Sequence, residues 1–290
     1  MNLSEIANFS LGQKTAYPKN YDPDILVAIP RSFNREKLEL NRELPFTGYD
    51  FWNCYELSFL NGNGLPVAAL CSIRIPCTSD NLIESKSLKL YLNSFNFTKI
   101  ESPDKLISTL REDLSSKLSV SPESLKMDVY DLAGDDEAAK TLFINSGEPK
   151  PGEYVNLEHE NRTINIDSFE YNPDYLVMDE RKEFVNEKLC SNLLKSNCLV
   201  TQQPDWGSVY IHYEGEKISH SELLRYIVSF RNHNEFHEMC VERIFTDLMR
   251  RCRPEKLTVF ARYTRRGGID INPFRSNFES SPDVGRTVRQ

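Results

Sequence analysis

The chain has 290 residues, 39% of them hydrophobic and 11% aromatic, enough for a sizeable core and long for one average domain. Its formal net charge of -8 argues against a protein that holds nucleic acid mainly by its phosphates, so any anionic ligand needs a local basic cluster. No apolar run approaches the roughly 20 residues of a membrane span, and MNLSEIANFSLGQK lacks a charged-then-apolar leader; a soluble, cytoplasmic chain is expected.

After a lead rich in Pro, Tyr and Asn, the stretches DFWNCYELSFL and LPVAALCSIRIP flank the turn-forming NGNG, which is a hairpin signature. Leu88, Tyr91, Leu92 and Phe95 then fall at helical spacing. A second helix is capped by Ser102, has Pro103 in its first turn, and aligns Leu106, Leu110, Leu114 and Leu118. SLKMDVYDL reads as a strand. Residues 133–170 are polar and rich in Gly, Pro and Glu, and the inter-domain connection is expected there.

The second half repeats the order. Strands are expected around EFVNEKLCSNLLKSNCLVTQQ and GSVYIHYEG, and a helix opens near Ser219–Ser221. A further helix carries Val241, Ile244, Phe245 and Leu248, and LTVFARY with GIDINPF frames a last hairpin at Gly267-Gly268. Each half reads β-β-α-α-β, with one more strand in the second. The expected fold class is α+β, antiparallel sheets backed by helices, in two modules at 1–155 and 156–290 that share pattern rather than obvious sequence. Open sheet edges would favour pairing between subunits.

The seven cysteines are odd in number, scattered and without a CxxC pair, which reads as reduced thiols. Cys198 ends an apolar stretch, with Asp205 seven residues on. Fully extended, that spacing spans about 23 Å, so the two meet only if the chain folds back, near Pro204 and Gly207. A cysteine taken alone more often packs as a buried apolar thiol, and Asp205 alone would be a turn residue.

In RNHNEFHEMC, His233, His237 and Cys240 have spacings that suit zinc, but no second cluster completes four ligands. Glu238 either complements the dipole of a helix start or accepts N–H bonds from a guanine-like edge, with His237 beside it. ESKSLKLYLNSFN is an amphipathic helix whose opening Ser85 and Lys86 would suit a phosphate. ARYTRRGGID sets Arg262, Arg265 and Arg266 before a Gly-Gly turn, which is a phosphate site, a solvated hairpin tip or a weak RNA patch. No GxGxxG follows a strand.

Taken together, ESKSLKLYLNSFN, SNCLVTQQPDWGS, FHE and RRGGIDINPFR closely resemble the long, two-module form of the 7-cyano-7-deazaguanine reductase (QueF) family. The resemblance extends to LGQKTAYPKNYDPDIL and LPFTGYDFWNCYELSFLNGNGLP. It implies two tunnelling-fold modules and the NADPH-dependent reduction of the nitrile of 7-cyano-7-deazaguanine to 7-aminomethyl-7-deazaguanine, in tRNA queuosine biosynthesis. It further implies Cys198 as the nucleophile that forms a thioimide and Asp205 as the acid. Ile83, Glu84, Ser85, Phe236, His237 and Glu238 would hold the substrate, and Ser85, Lys86, Arg266 and Gly267 would bind NADPH. No metal, no direct contact with nucleic acid or membrane, and a homodimer are expected from the same source. Two rivals are a zinc-dependent GTP cyclohydrolase-like enzyme and a non-catalytic purine- or RNA-binding module in which Cys198 merely packs.

Overall fold

The computed structural model describes residues 17–41, 43–134, 153–282 and 284–290. The chain divides into two compact units whose segments interleave. Unit 1 comprises Met1–Glu39, Tyr49–Asn145 and Arg265–Ile271; unit 2 comprises Leu40–Gly48, Ser146–Thr264 and Asn272–Gln290. Among the described residues no helix is long and apolar enough to cross a membrane.

Unit 1 contains β1 (Ala28–Pro30), most of β2 (Thr47–Leu60), β3 (Pro66–Pro76), β4 (Asn81–Ile83), the helices α1 (Ser85–Asn93) and α2 (Pro103–Leu118), and β5 (Lys126–Asp131). β2, β3 and β5 are antiparallel, while β1 and β4 form a separate two-stranded sheet. The NGNG turn closes on Asn61, whose Oδ1 accepts the N–H groups of Asn63 and Leu65, both at 3.0 Å. The expected helical stripes are the buried ones: Leu88, Tyr91, Leu92 and Phe95, with Leu106, Leu110, Leu114 and Leu118, share a core with Trp52, Cys54, Leu57, Phe59 and Ile73 of the sheet. Ser102 caps α2 by accepting the Lys105 N–H at 3.2 Å.

Unit 2 contains β6 (Val155–Asn156), β7 (Phe184–Asn197), β8 (Pro204–Glu216), α3 (His220–Val228), α4 (His237–Arg251), β9 (Lys256–Tyr263) and most of β10 (Ile269–Ser276). Its strand order is β10-β9-β8-β7-β6, antiparallel except for the parallel β6–β7 pair. The fold is thus α+β, with largely antiparallel sheets backed by helices. Of the expected connection, 135–152 lie outside the described residues; 153–170 contribute β6 and a one-turn helix, Leu157–Glu160. The seven cysteines, all among the described residues, form no disulfide.

The last hairpin is divided between the units. Its tip, Arg265–Ile271, belongs to unit 1. There Tyr55 N–H donates to Gly268 O at 2.9 Å, and Asn53 Nδ2 and the Tyr55 hydroxyl donate to Asp270 at 2.7 and 2.6 Å.

The units repeat each other closely. β2 and β7 are each 14 residues long and slip register at the same point, between Cys54 and Leu57 and between Ser191 and Leu194. Tyr21 and Tyr91 both donate to Asp113 Oδ2, at 2.7 and 2.5 Å, and Tyr171 and Tyr226 both donate to Asp247 Oδ2, at 2.7 and 2.6 Å. Ser94 Oγ accepts the Asp22 N–H and Ser229 Oγ accepts the Asn172 N–H. A short repeat in the sequence underlies this clasp: YDPDILV at 21–27 and YNPDYLV at 171–177. In both copies the Asx side chain accepts an N–H two residues on and the proline opens a turn of 3-10 helix.

Candidate active site

β7 reaches its end with a clean alternation of buried side chains: Leu194, Ser196 and, just past the strand, Cys198. The reversal that follows is made by residues 198–203. Cys198 N–H donates to Gln203 O at 2.8 Å, Gln202 N–H donates to Cys198 O at 3.0 Å, and Gln202 takes a left-handed φ of 57°. The turn therefore precedes Pro204, and the expectation of a fold-back at Pro204–Gly207 is corrected. Those residues are already β8. Proline is tolerated as a first strand residue, and Gly207 gives room to Tyr263, whose ring would lie 3.1 Å from any Cβ there.

This register sets Asp205 opposite Ser196, two ladder positions from Cys198. Because side chains of one pleat face recur every second residue, Ser196, Cys198 and Asp205 share a face. All three are buried, Cys198 to 4% and Asp205 to 3% exposure. The thiol and the carboxyl expected to work together are brought to one end of one hairpin.

α4 begins against this face. His237, its first residue, has Nε2 3.3 Å from Asp205 Oδ2, although neither ring nitrogen makes an aligned hydrogen bond. Its ring stacks on Tyr263 with centroids 3.9 Å apart and planes 2° from parallel. Glu238 is buried in the first turn, where the helix dipole favours a carboxylate, and half-buried Phe236 is the N-cap residue. Lys195 Nζ donates to Asn197 Oδ1 and Arg231 O, both at 2.6 Å. Burial and the Arg231 charge hold its ammonium below the usual lysine range, with Asp205 pulling the other way.

The zinc spacing does not become a zinc geometry. His233 Nε2 is 3.1 Å from Glu235, His237 lies on Tyr263, and the Cys240 thiol is pushed up to about 12 by burial. Among the described residues no group of three or more His, Cys, Asp and Glu is arranged to hold a metal ion.

The second set of predicted residues is in unit 1. Ile83 ends β4 with its side chain in the core. Glu84, 1% exposed, is the N-cap of α1: its carboxylate accepts the Lys86 N–H at 2.9 Å and the Ser87 N–H at 2.7 Å. Burial raises its pKa, and those two N–H bonds pull it partly back. The expectation that free N–H groups at this helix start would attract a phosphate is revised, since Glu84 occupies them. Half-buried Ser85 and Lys86 follow.

One turn further along α1, Lys89 packs against the tip of the last hairpin. A Cβ on Gly267, whose φ is 58°, would lie 3.2 Å from Lys89 Cδ. Lys89 Nζ is 3.2 Å from Glu56, and the two line a shallow, open depression with Cys54, Asn93, Gly267 and Gly268. Arg266 closes the turn through paired bonds with Ile269, and Arg265 lies over the Tyr55 ring. Arg262 is not part of this tip; it donates to Val284 O within unit 2.

Sequence reasoning missed Tyr263, Lys195 and Lys89 as neighbours of these sites. Each is visible as a type at its position, but only pairing across strands gives Tyr263 its place over Gly207 and His237.

Two family models match the chain. One, described as nitrile reductase, 7-cyano-7-deazaguanine-reductase N-term, covers residues 17–124; the other, described as QueF-like protein, covers 204–282. A solved structure, the archaeosine synthase QueF-Like in its apo form, is 16% identical over 34% of this chain and 96% of that one, with a TM-score of 0.29, too loose to carry weight.

Proposed function

Because the chain belongs to the QueF family, in its long two-module form, we propose that it reduces the nitrile of 7-cyano-7-deazaguanine to the primary amine at the expense of NADPH. The family makes it a nitrile reductase of deazaguanine biosynthesis. The observation that carries the specific reading is the buried thiol of Cys198 and carboxyl of Asp205 on one face of a hairpin end, beside the His237–Glu238 helix start.

A nitrile is a poor hydride acceptor until a nucleophile adds to it. Asp205 takes the Cys198 thiol proton as Sγ attacks the nitrile carbon and passes it to the nitrile nitrogen, giving a thioimide. Glu238 accepts N–H bonds from the guanine-like edge, His237 orients the ring, and Phe236 covers it. Ile83, Glu84 and Ser85 are further substrate contacts by family motif.

For the cofactor, the basic side chains of unit 1 support an anionic dinucleotide. Lys86, Lys89 and Arg266 supply positive charge, and glycine at 268 lets the tip lie against Glu56, since a Cβ there would fall 2.4 Å from Glu56 Cδ. Glu56 opposes an anion there, but its side chain is 59% exposed and free to turn into water. NADPH, when bound, supplies the hydride. Reduction at the thioimide carbon would let Cys198 leave with its proton restored as the imine forms, and a second reduction would give the amine, each hydride being matched by one proton from solvent. Two NADPH are consumed, and the active form is a cytoplasmic homodimer that binds no nucleic acid directly.

The test mixes purified protein with 7-cyano-7-deazaguanine and NADPH and follows NADPH absorbance and product mass. Two NADPH per aminomethyl product is expected; no consumption by folded protein overturns the reading.

A further inference from the structure

The segment before α4 is tied to the end of β7, which leads directly into Cys198. Asn197 N–H donates to His233 O at 2.8 Å, and Glu235 N–H donates to Asn197 O at 3.0 Å. This two-bond bridge joins the residue preceding the thiol to the residue preceding Phe236.

The same bridge exists in unit 1, where Leu60 N–H donates to Thr98 O and Ile100 N–H donates to Leu60 O. Leu60 is followed by Asn61, where Asn197 is followed by Cys198. The side chains on the bridge differ sharply. Where unit 1 has buried Ile100, unit 2 has Glu235, 4% exposed. Four residues before the clasp aspartate, unit 1 has Thr109 and unit 2 has Arg243.

In unit 2 these residues form a closed cluster. Arg243 Nε and Nη2 reach the two Glu235 oxygens at 3.0 and 2.7 Å, and His233 Nε2 lies 3.1 Å from Oε2. Burial acts to raise the Glu235 pKa, but His233 and Arg243 outweigh it and keep the group charged. Arg243 also lies over the Tyr171 ring, 5.1 Å from its centroid, and Tyr171 belongs to the clasp.

A buried ion cluster stabilises a fold little more than apolar residues of the same size would, and Ile100 shows that this frame accepts apolar packing. What the fork of Arg243 adds is geometry, since a bidentate pair has one orientation. Arg243 stands on the helix that opens with His237 and Glu238, and Glu235 stands on the bridge to Cys198.

We propose that Glu235 is a positioning residue: the His233–Glu235–Arg243 cluster locks the Cys198 strand end to the His237–Glu238 helix start, so that the thiol meets the bound nitrile. The cluster accompanies the nucleophile, and the unit without a cysteine at that position lacks it. This inference rests on the reading of Cys198 as nucleophile.

The test compares Glu235→Gln with a triple variant, His233→Thr, Glu235→Ile and Arg243→Thr, which installs the unit 1 residues and keeps a packable bridge. Misplacing a reacting group by about 1 Å costs on the order of 100-fold. We expect kcat to fall roughly 100-fold in both, while the Kd for 7-cyano-7-deazaguanine, measured by calorimetry with Cys198→Ala added, moves less than about threefold. The triple variant retains wild-type secondary structure and a cooperative melt. A kcat within about threefold of wild type, or a rise in Kd that accounts for the whole loss, overturns positioning. If the wild-type protein reduces no nitrile, the nucleophile reading fails separately. Amide exchange then decides the cluster's role: faster exchange at Asn197 and Glu235 in the triple variant than in wild type supports the lock, and equal exchange overturns it.

Discussion

Unit 1 and unit 2 use the same frame for different ends. Both have a 14-residue first strand with the same register slip, both close a tyrosine pair on one aspartate, and both bridge the strand end to the segment before the second helix. At the hairpin end, however, unit 1 has the five-residue NGNGL turn headed by Asn61. Unit 2 has Cys198 and a longer reversal that leaves Asp205 facing inward. The frame is thus a matter of hydrogen bonds and apolar packing, and the two units differ in the few residues set upon it.

The comparison breaks most completely at the thiol. Cys198→Ala should lower nitrile reduction at least 1,000-fold with little change in melting temperature, read by NADPH absorbance. Asn61→Cys should confer no second activity on that background, since unit 1 has Val67 rather than an acid just inside its second strand. Next in size is Asp205→Asn, expected to lower kcat about 100-fold through loss of the proton donor, with substrate affinity kept.

The clasp sharpens the comparison from the side of stability. Asp247 is 7% exposed and Asp113 is half-buried. Removing either acceptor orphans two tyrosine hydroxyls, and the cost depends on how far water can replace it. Asp247→Ala should cost roughly 3 kcal/mol and Asp113→Ala roughly 1 kcal/mol in denaturant unfolding. Equal losses would show that burial does not set the difference.

The smallest effect is one of pH. All five histidines are in unit 2. His220 lies between Glu187, at 3.1 Å, and Glu160, at 2.8 Å; the bond to Glu187, and then that to Glu160, raise its pKa above 6.5. A raised histidine pKa adds stability that is fully present below pH 6.5 and is lost as pH rises through the folded value. Glu187 behaves oppositely: burial acts to raise it, but His220, Tyr213 and Lys217 bring it to about 2, so its contribution is lost as pH falls below 4.5. The melting temperature should therefore decline by roughly 2 °C from pH 6.5 to 8, and His220→Gln should flatten that slope.

Much of this was legible in the chain. Helical spacing found α1, α2, α3 and α4, turn residues found NGNG and Gly267-Gly268, and the segments around Cys198 and FHE carried the resemblance to the family, because helix period, turn preference and residue type are local properties. The repeat at 21–27 and 171–177 was equally local and shows that the halves share more than pattern. Tertiary structure alone decided the rest. It moved the reversal to 198–203, set Tyr263 on His237, gave Glu84 to its own helix as a cap, and placed the Arg265–Ile271 tip with unit 1. Those outcomes depend on which strands pair and in what register, and a pairing between residues far apart leaves no periodic trace in either partner.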